Sequence, residues 1–286
     1  MTKTPMPTLL GDLEAMGVNT TLLACAVAAS LGVLVIYSFF AKPSGSARLT
    51  YFNGQGRAEE VRLMLALCNV PWRDAVYGDA TGAQYATTEA QMRKMMAAGV
   101  LAMDQLPLLE IDGLRLVQQS AILRYLARRH NLYGSGAAEA AQIDILSDSL
   151  QDWNPVIAVL QGKADAPHAK YLDRFARALR SNGDGDFLVG KTVSFVDVQV
   201  FQALEQLVES KTVPLKAKWP ELDAYRLRVR ALPPIAEYLG SGRQVHFFGP
   251  SRAKETFFAE IAKVIPWNFG KAEHPGLLCK EWRFRA

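Results

Sequence analysis

The periodicity of the apolar residues changes at Gly134. Before it, short alternating runs bounded by Gly, Asn and Asp are interleaved with segments of helical spacing. Beyond it the chain reads as helix after helix to about Leu239, with no strand periodicity. Such a division implies an α/β unit followed by an all-α unit, because each element must bury its apolar face against a layer of a compatible kind. At 286 residues and 50% hydrophobic, the chain has room for two domains at roughly 100 to 200 residues each.

Within the first unit, Leu49 to Phe52 is a predicted strand, Asn53 to Gly56 a tight turn, and Arg57 to Asn69 a helix with Val61, Leu65 and Cys68 on one face. A strand at Ala75 to Tyr77 and a helix at Thr88 to Ala98 follow. Two more strands, Leu108 to Ile111 and Leu114 to Val117, are joined by Asp112-Gly113, a pair suited to a hairpin turn. The helix that begins at Gln119 ends in Arg128-Arg129-His130-Asn131, where basic side chains meet the negative end of the helix dipole and an Asn suits the cap.

Ala15 to Ala41 contains no charged residue, and about 20 apolar residues suffice to cross a bilayer as a helix. The expectation is a single transmembrane helix at residues 20–41, after an N-terminal segment at 1–19 and before a linker at 42–47. Asp12 and Glu14 precede the run, and Lys42 and Arg48 follow it. These flanks favour a retained signal-anchor over a cleaved signal peptide. By the positive-inside rule the chain is expected to be a single-pass membrane protein, with its bulk on the cytosolic or an equivalent reducing side. The remaining expected boundaries are 48–133 for the α/β domain, 134–240 for the helical domain and 241–286 for a C-terminal extension.

Several function classes are disfavoured. The net charge of +4 is mild, and the basic residues are interleaved with acidic ones, so nucleic acid is not an indicated partner. The three cysteines show no pairing framework. His130, His168, His246 and His274 match no metal-ligand spacing, so no metal site is expected. Gly54-Gln55-Gly56 begins a G-x-G-x-x-G pattern, but Glu59 stands where the third glycine belongs, which rejects a dinucleotide fingerprint.

The run LTYFNGQGRAEEVR, from Leu49 to Arg62, resembles the opening strand, turn and helix of the alpha and sigma classes of soluble glutathione transferases. A second run, QLPLLEIDGLRLVQQSAILRYLA from Gln105 to Ala127, is similar to the middle of the same domain. A third is Asp186 to Gly190 leading to Ser194 and Asp197, a capping box that family members carry at a buried helix. The resemblance implies a thioredoxin-like glutathione domain followed by an all-helical domain, with glutathione as co-substrate.

It also implies roles, residue by residue. Tyr51 would donate a hydrogen bond to the glutathione sulfur and favour the thiolate, and Arg57 would add positive potential beside it. Pro107 would be cis and would present the main chain of Leu106 to the cysteinyl part of glutathione. Gln105 matches a residue near the glycyl end, and Gln118 and Gln119 match the pair that binds the γ-glutamyl carboxylate at a helix N-terminus. Asp152 matches an acid that reaches the glutathione amine across a homodimer interface; its alternative is an ordinary solvated helix carboxylate. Gln119 replaces a usual serine or threonine, and Met96 replaces a basic residue for the glycine carboxylate, a role open to Lys94 or Arg93 nearby.

Two functions are thus expected as alternatives. One is a membrane-anchored enzyme that directs a glutathione thiolate at a hydrophobic electrophile, by conjugation, isomerisation or peroxide reduction. The other is a non-catalytic accessory subunit of a larger membrane complex.

Overall fold

A computed structural model of the chain describes residues 46–52, 54–77, 85–153, 166–183, 185–211 and 213–244. The expected transmembrane helix at 20–41, its flanking segments 1–19 and 42–45, and the extension beyond 244 lie outside the described residues. Among the described residues no helix is long and apolar enough to cross a membrane.

Four strands form one sheet in the order β2-β1-β3-β4. They are β1 (Ala47–Phe52), β2 (Trp72–Tyr77), β3 (Leu108–Ile111) and β4 (Leu114–Val117). β1 pairs in parallel with β2, with Tyr51 opposite Val76, and antiparallel with β3, with Leu49 opposite Leu109. The parallel pair is bridged by α1 (Glu59–Leu67), as a parallel connection requires. β3 and β4 form a hairpin whose two turn residues, Asp112 (φ 54°) and Gly113 (φ 78°), both take the positive φ that a tight hairpin turn requires. The two hairpin strands coincide with the expected ones, whereas β2 begins three residues earlier, at Trp72, because its pairing with β1 and not its own apolar content sets its length.

α1 carries Glu59 and Glu60 in its first turn, on the favourable side of the dipole. It stops where Asn69 turns to φ 52°, with Val70 N–H closing on Leu65 O and Asn69 N–H on Ala66 O, each at 2.9 Å. The same closure ends α3 (Gln119–Arg129), where Asn131 has φ 58° and Leu132 N–H reaches Ala127 O at 2.8 Å. Between β2 and β3 lies α2 (Tyr85–Ala97). Its Met92 joins Phe52, Leu101 and Leu108 in a small core separate from the main one.

Among the described residues six helices follow: α4 (Ala137–Trp153), α5 (Ala166–Ser181), α6 (Phe195–Glu209), α7 (Leu215–Lys218), α8 (Pro220–Arg230) and α9 (Pro233–Gly240). α6 is buried on nearly every side, and packs against α1, α3, α4 and α8. Its start is the expected capping box. The Asp197 carboxylate accepts the Ser194 N–H at 2.8 Å, the Ser194 hydroxyl at 2.7 Å, and the Leu188 N–H and Tyr225 hydroxyl at 2.9 Å each. A buried carboxylate with that many donors fixes the loop before α6 and the helix beside it, a folding role. The main core runs continuously from β1, β3, α1 and α3 into α4, α5, α6, α8 and α9.

Candidate functional site

Tyr51 lies at the end of β1, one residue before the chain turns into α1. The turn is shaped around its hydroxyl: Gly56 has φ +41°, and a β-carbon there would stand 2.5 Å from the Tyr51 oxygen. Glycine is therefore required both for the backbone conformation and for the space. Arg57 N–H donates to the Tyr51 hydroxyl oxygen at 3.1 Å. With its oxygen engaged as an acceptor, the phenol directs its own proton elsewhere. Burial raises the Tyr51 pKa, against the opposing pull of the Arg57 amide and the charges of Arg57 and Arg62, so the group is a protonated donor at neutral pH.

Two residues brace this turn that the sequence did not single out. Arg62, buried on α1, donates to Gly54 O at 3.1 Å, and is itself held by Glu59 at 3.0 Å and Asp74 at 2.8 Å. Gln55, also buried, accepts from Gln202 of α6 at 3.0 Å. The available signal was a pair of opposite charges at i and i+3 within a helix otherwise rich in Leu, Met and Val; charge there is tolerated only when paired.

A second group of candidates gathers at the N-terminus of α3. The Leu106–Pro107 bond is cis, as expected. Gln118, at the cap position, takes φ 68° and ψ 107°, and offers no side-chain bond to the helix end. Its amide instead donates to Gln105 Oε1 at 3.3 Å, so these two candidates are neighbours. Gln119 is buried, and its side chain hydrogen bonds to Glu60 on α1. Gln199 Nε2 of α6 donates to the same carboxyl at 3.0 Å. Arg57 acts on it electrostatically. Glu60 thus connects the two groups of candidates, and sequence reasoning missed it, since an acid in the first turn of a helix has an ordinary explanation in the dipole.

Lys94, on the last turn of α2, and Asp152, near the end of α4, are exposed. None of the hydrogen bonds described above, within either group of candidates, reaches them. Met96 is also largely exposed, whereas Met92 one turn earlier faces the small core. Cys68 is a free thiol whose pKa burial pushes up to about 12, unlike a reactive thiol. Among the described residues no cluster of His, Cys, Asp and Glu is placed to hold a metal ion.

Residues 47–128 match the glutathione S-transferase N-terminal domain, and residues 163–242 match the glutathione S-transferase C-terminal domain. The chain is 34% identical over 209 residues to glutathione S-transferase A4 of Mus musculus, covering 69% of this chain and 89% of the relative. It is 35% identical over 213 residues to glutathione S-transferase alpha M14 of Sus scrofa, covering 70% and 91%. Among solved structures, the glutathione S-transferase from Ascaris lumbricoides is similar with a TM-score of 0.57 and 26% identity, covering 69% of this chain and 97% of that one.

These matches correct the membrane placement expected from the apolar run. The domain matches begin only at residue 47, the relatives are matched over about nine-tenths of their own length, and among the described residues no helix is long and apolar enough to cross a bilayer. Neither the localisation as a single-pass membrane protein facing a reducing compartment nor the lipid bilayer and membrane complex as partners is retained. The thioredoxin-like domain, the helical domain and the use of glutathione as the family's co-substrate all stand. The two domain matches and the extent of identity place this chain in the glutathione S-transferase family.

Proposed function

We propose that the chain is a glutathione transferase in which Tyr51 stabilises the glutathione thiolate for attack on a hydrophobic electrophile. The observation that carries this reading is the 3.1 Å bond from the Arg57 amide to the Tyr51 oxygen, which leaves the phenol proton to be donated outward. A thiol gives up its proton to water, the Tyr51 O–H bonds the resulting anion, and the sulfur lone pair forms the new carbon–sulfur bond as the electrophile's leaving group departs with its bonding pair or its π pair moves to the neighbouring atom and is protonated by water. Tyr51 stays protonated throughout. Each pKa unit taken from the thiol represents about 1.4 kcal/mol of preference for the thiolate.

In this reading residues 48–133 hold glutathione and residues 134–240 form the helical domain. Arg57 adds positive potential near the sulfur. The main chain of Leu106, before Pro107, binds the cysteinyl part, and Gln105 lies towards the glycyl end. Gln118 and Gln119 flank the γ-glutamyl carboxylate, where open first-turn N–H groups of α3 and the helix dipole favour an anion. Lys94 meets the glycine carboxylate, and Asp152 meets the glutathione amine of a second copy in a homodimer. Conjugation, isomerisation and peroxide reduction all begin from the same thiolate.

The test is Tyr51→Phe, which removes one donor and almost no volume. Folding and binding of S-methylglutathione should be preserved, while kcat/KM for conjugation falls about tenfold or more, the scale of a hydrogen bond to a charged group. The thiol titration in the pH-rate profile should move to higher pH. Equal turnover and an unmoved profile would remove Tyr51 from the mechanism.

A further inference from the structure

The γ-glutamyl subsite contains an unusual amide. Gln119 opens α3 beside Gln118, yet its side chain is 5% exposed and turned towards α1. There it meets Glu60, whose other oxygen-side partner is the amide of Gln199 at 3.0 Å. Gln199 is wholly buried, and among the described residues its own Oε1 has no hydrogen-bond partner, so the acid in front of it supplies the hydrogen bond that orients its amide. Facing Glu60 are therefore one amide from α3, one amide from α6 and, from the turn before its own helix, the guanidinium of Arg57 as the single charge acting on it among the described residues.

We propose that Glu60 is a positioning residue for glutathione binding: its protonation state decides which end of the Gln119 carboxamide faces the γ-glutamyl carboxylate. This inference rests on the assignment of Gln118 and Gln119 to that subsite. As a carboxylate, Glu60 can only accept, so it takes the Gln119 NH2 and directs the Gln119 oxygen away from α1, towards the ligand end of the helix. An oxygen there opposes an anionic ligand, and the charge of Glu60 opposes it as well. As a neutral acid, Glu60 donates its O–H to the Gln119 oxygen. The amide then turns over, and its NH2 group joins the first-turn N–H groups that bind the carboxylate. One proton is taken up and no covalent bond other than the O–H is made.

The carboxyl is placed to change state at ordinary pH. Burial raises its pKa to about 7, against the lowering effects of Gln199, Gln119 and Arg57. Binding of an anion that prefers the neutral acid must, by reciprocity, raise it further.

The experiment uses the full chain and S-methylglutathione, which has no thiol to titrate, in calorimetry between about pH 5.5 and 8.5, with the titration of the ligand's own amine measured without protein and subtracted. The wild type should bind about tenfold more tightly below pH 7 than above it, a change equal to about 1.4 kcal/mol, and should take up protons on binding near pH 7. Glu60→Gln, which can always donate, should bind at every pH as the wild type does at low pH, with no proton uptake. Gln119→Ala should lose the pH dependence and bind no more tightly than the wild type does at high pH. Wild-type affinity that is flat with pH, or Glu60→Gln that retains the wild-type slope, would overturn the proposal while leaving the glutathione site standing. Absence of binding at every pH would overturn the site assignment, and the proposal with it.

Discussion

The two faces of α1 keep acids in different company. On one, Glu59 is buried against Arg62 at 3.0 Å and accepts the Tyr238 hydroxyl of α9 at 3.0 Å, while Arg62 also meets Asp74 of β2 at 2.8 Å. Burial pulls the Arg62 pKa down, but the two carboxylates outweigh it and hold the guanidinium firmly charged. On the other face, about 100° around the helix, Glu60 meets the amides of Gln119 and Gln199, and the buried amides of Gln202 and Gln206 continue the polar seam along α6. The first face is an ion-pair network that ties β2, α1 and α9 together and anchors the Tyr51 turn, with Arg62 Nη2 left without a hydrogen-bond partner among the described residues. The second holds one acid among amides, with Arg57 acting on it through space, and among the described residues its Gln199 Oε1, Gln202 Oε1 and Gln206 Nε2 have no hydrogen-bond partners. Burial raises the pKa of both acids, but Glu59 has a guanidinium bonded to it at 3.0 Å, whereas half-buried Glu60 is met by amides and only by the through-space charge of Arg57.

The sharpest way to break this contrast is Arg62→Met. It leaves Glu59 and Asp74 without their cation and releases Gly54 O, so a loss of about 3 to 5 kcal/mol is expected in urea unfolding, with loss of conjugating activity as the Tyr51 turn relaxes. A loss of under about 1 kcal/mol would show that the network contributes little to the fold.

Glu60→Gln tests the other face, and the sign depends on pH. The folded carboxyl has its pKa raised to about 7, so the folded state holds a proton that the unfolded chain has lost. Wild-type stability from this group is full below about pH 4.5 and declines as pH rises to about 7, then levels off. The substitution should therefore stabilise the fold relative to wild type at pH 8 by about 3 kcal/mol, read as a higher melting temperature, and change little at pH 4.5. A difference independent of pH would mean that Glu60 does not titrate in this range.

The smallest effect is expected from Gln206→Met. Replacing a buried amide whose nitrogen has no partner with an unbranched apolar chain should stabilise the protein by about 1 kcal/mol, read as a higher urea midpoint at unchanged slope. Destabilisation would indicate that the seam needs this amide.

Much of the fold was legible because its signals are local. The Asp112-Gly113 turn, Asn69 and Asn131 at helix ends, and the Ser194–Asp197 box each act within a few residues, where spacing and side-chain chemistry are sufficient. Of the candidate site, the adjacency of Arg57 to Tyr51 and of Gln118 to Gln105, and the cis bond before Pro107, followed from two short runs of sequence, while the roles of these residues are proposals. The apolar run at 15–41 misled for the complementary reason: hydropathy describes what a segment tolerates, and says nothing of how the rest of the chain is employed.

The company of each side chain was decided by tertiary structure alone. Gln199 reaches Glu60 across 139 residues and Tyr238 reaches Glu59 across 179, separations at which no periodicity carries information. Burial then completes the chemistry. The same Glu-Glu dipeptide in a solvated helix would be two ordinary acids, and it is the desolvation imposed by α3, α6 and α9, with a bonded guanidinium on the Glu59 side and amides on the Glu60 side, that makes Glu59 part of a scaffold and Glu60 a group that can change state.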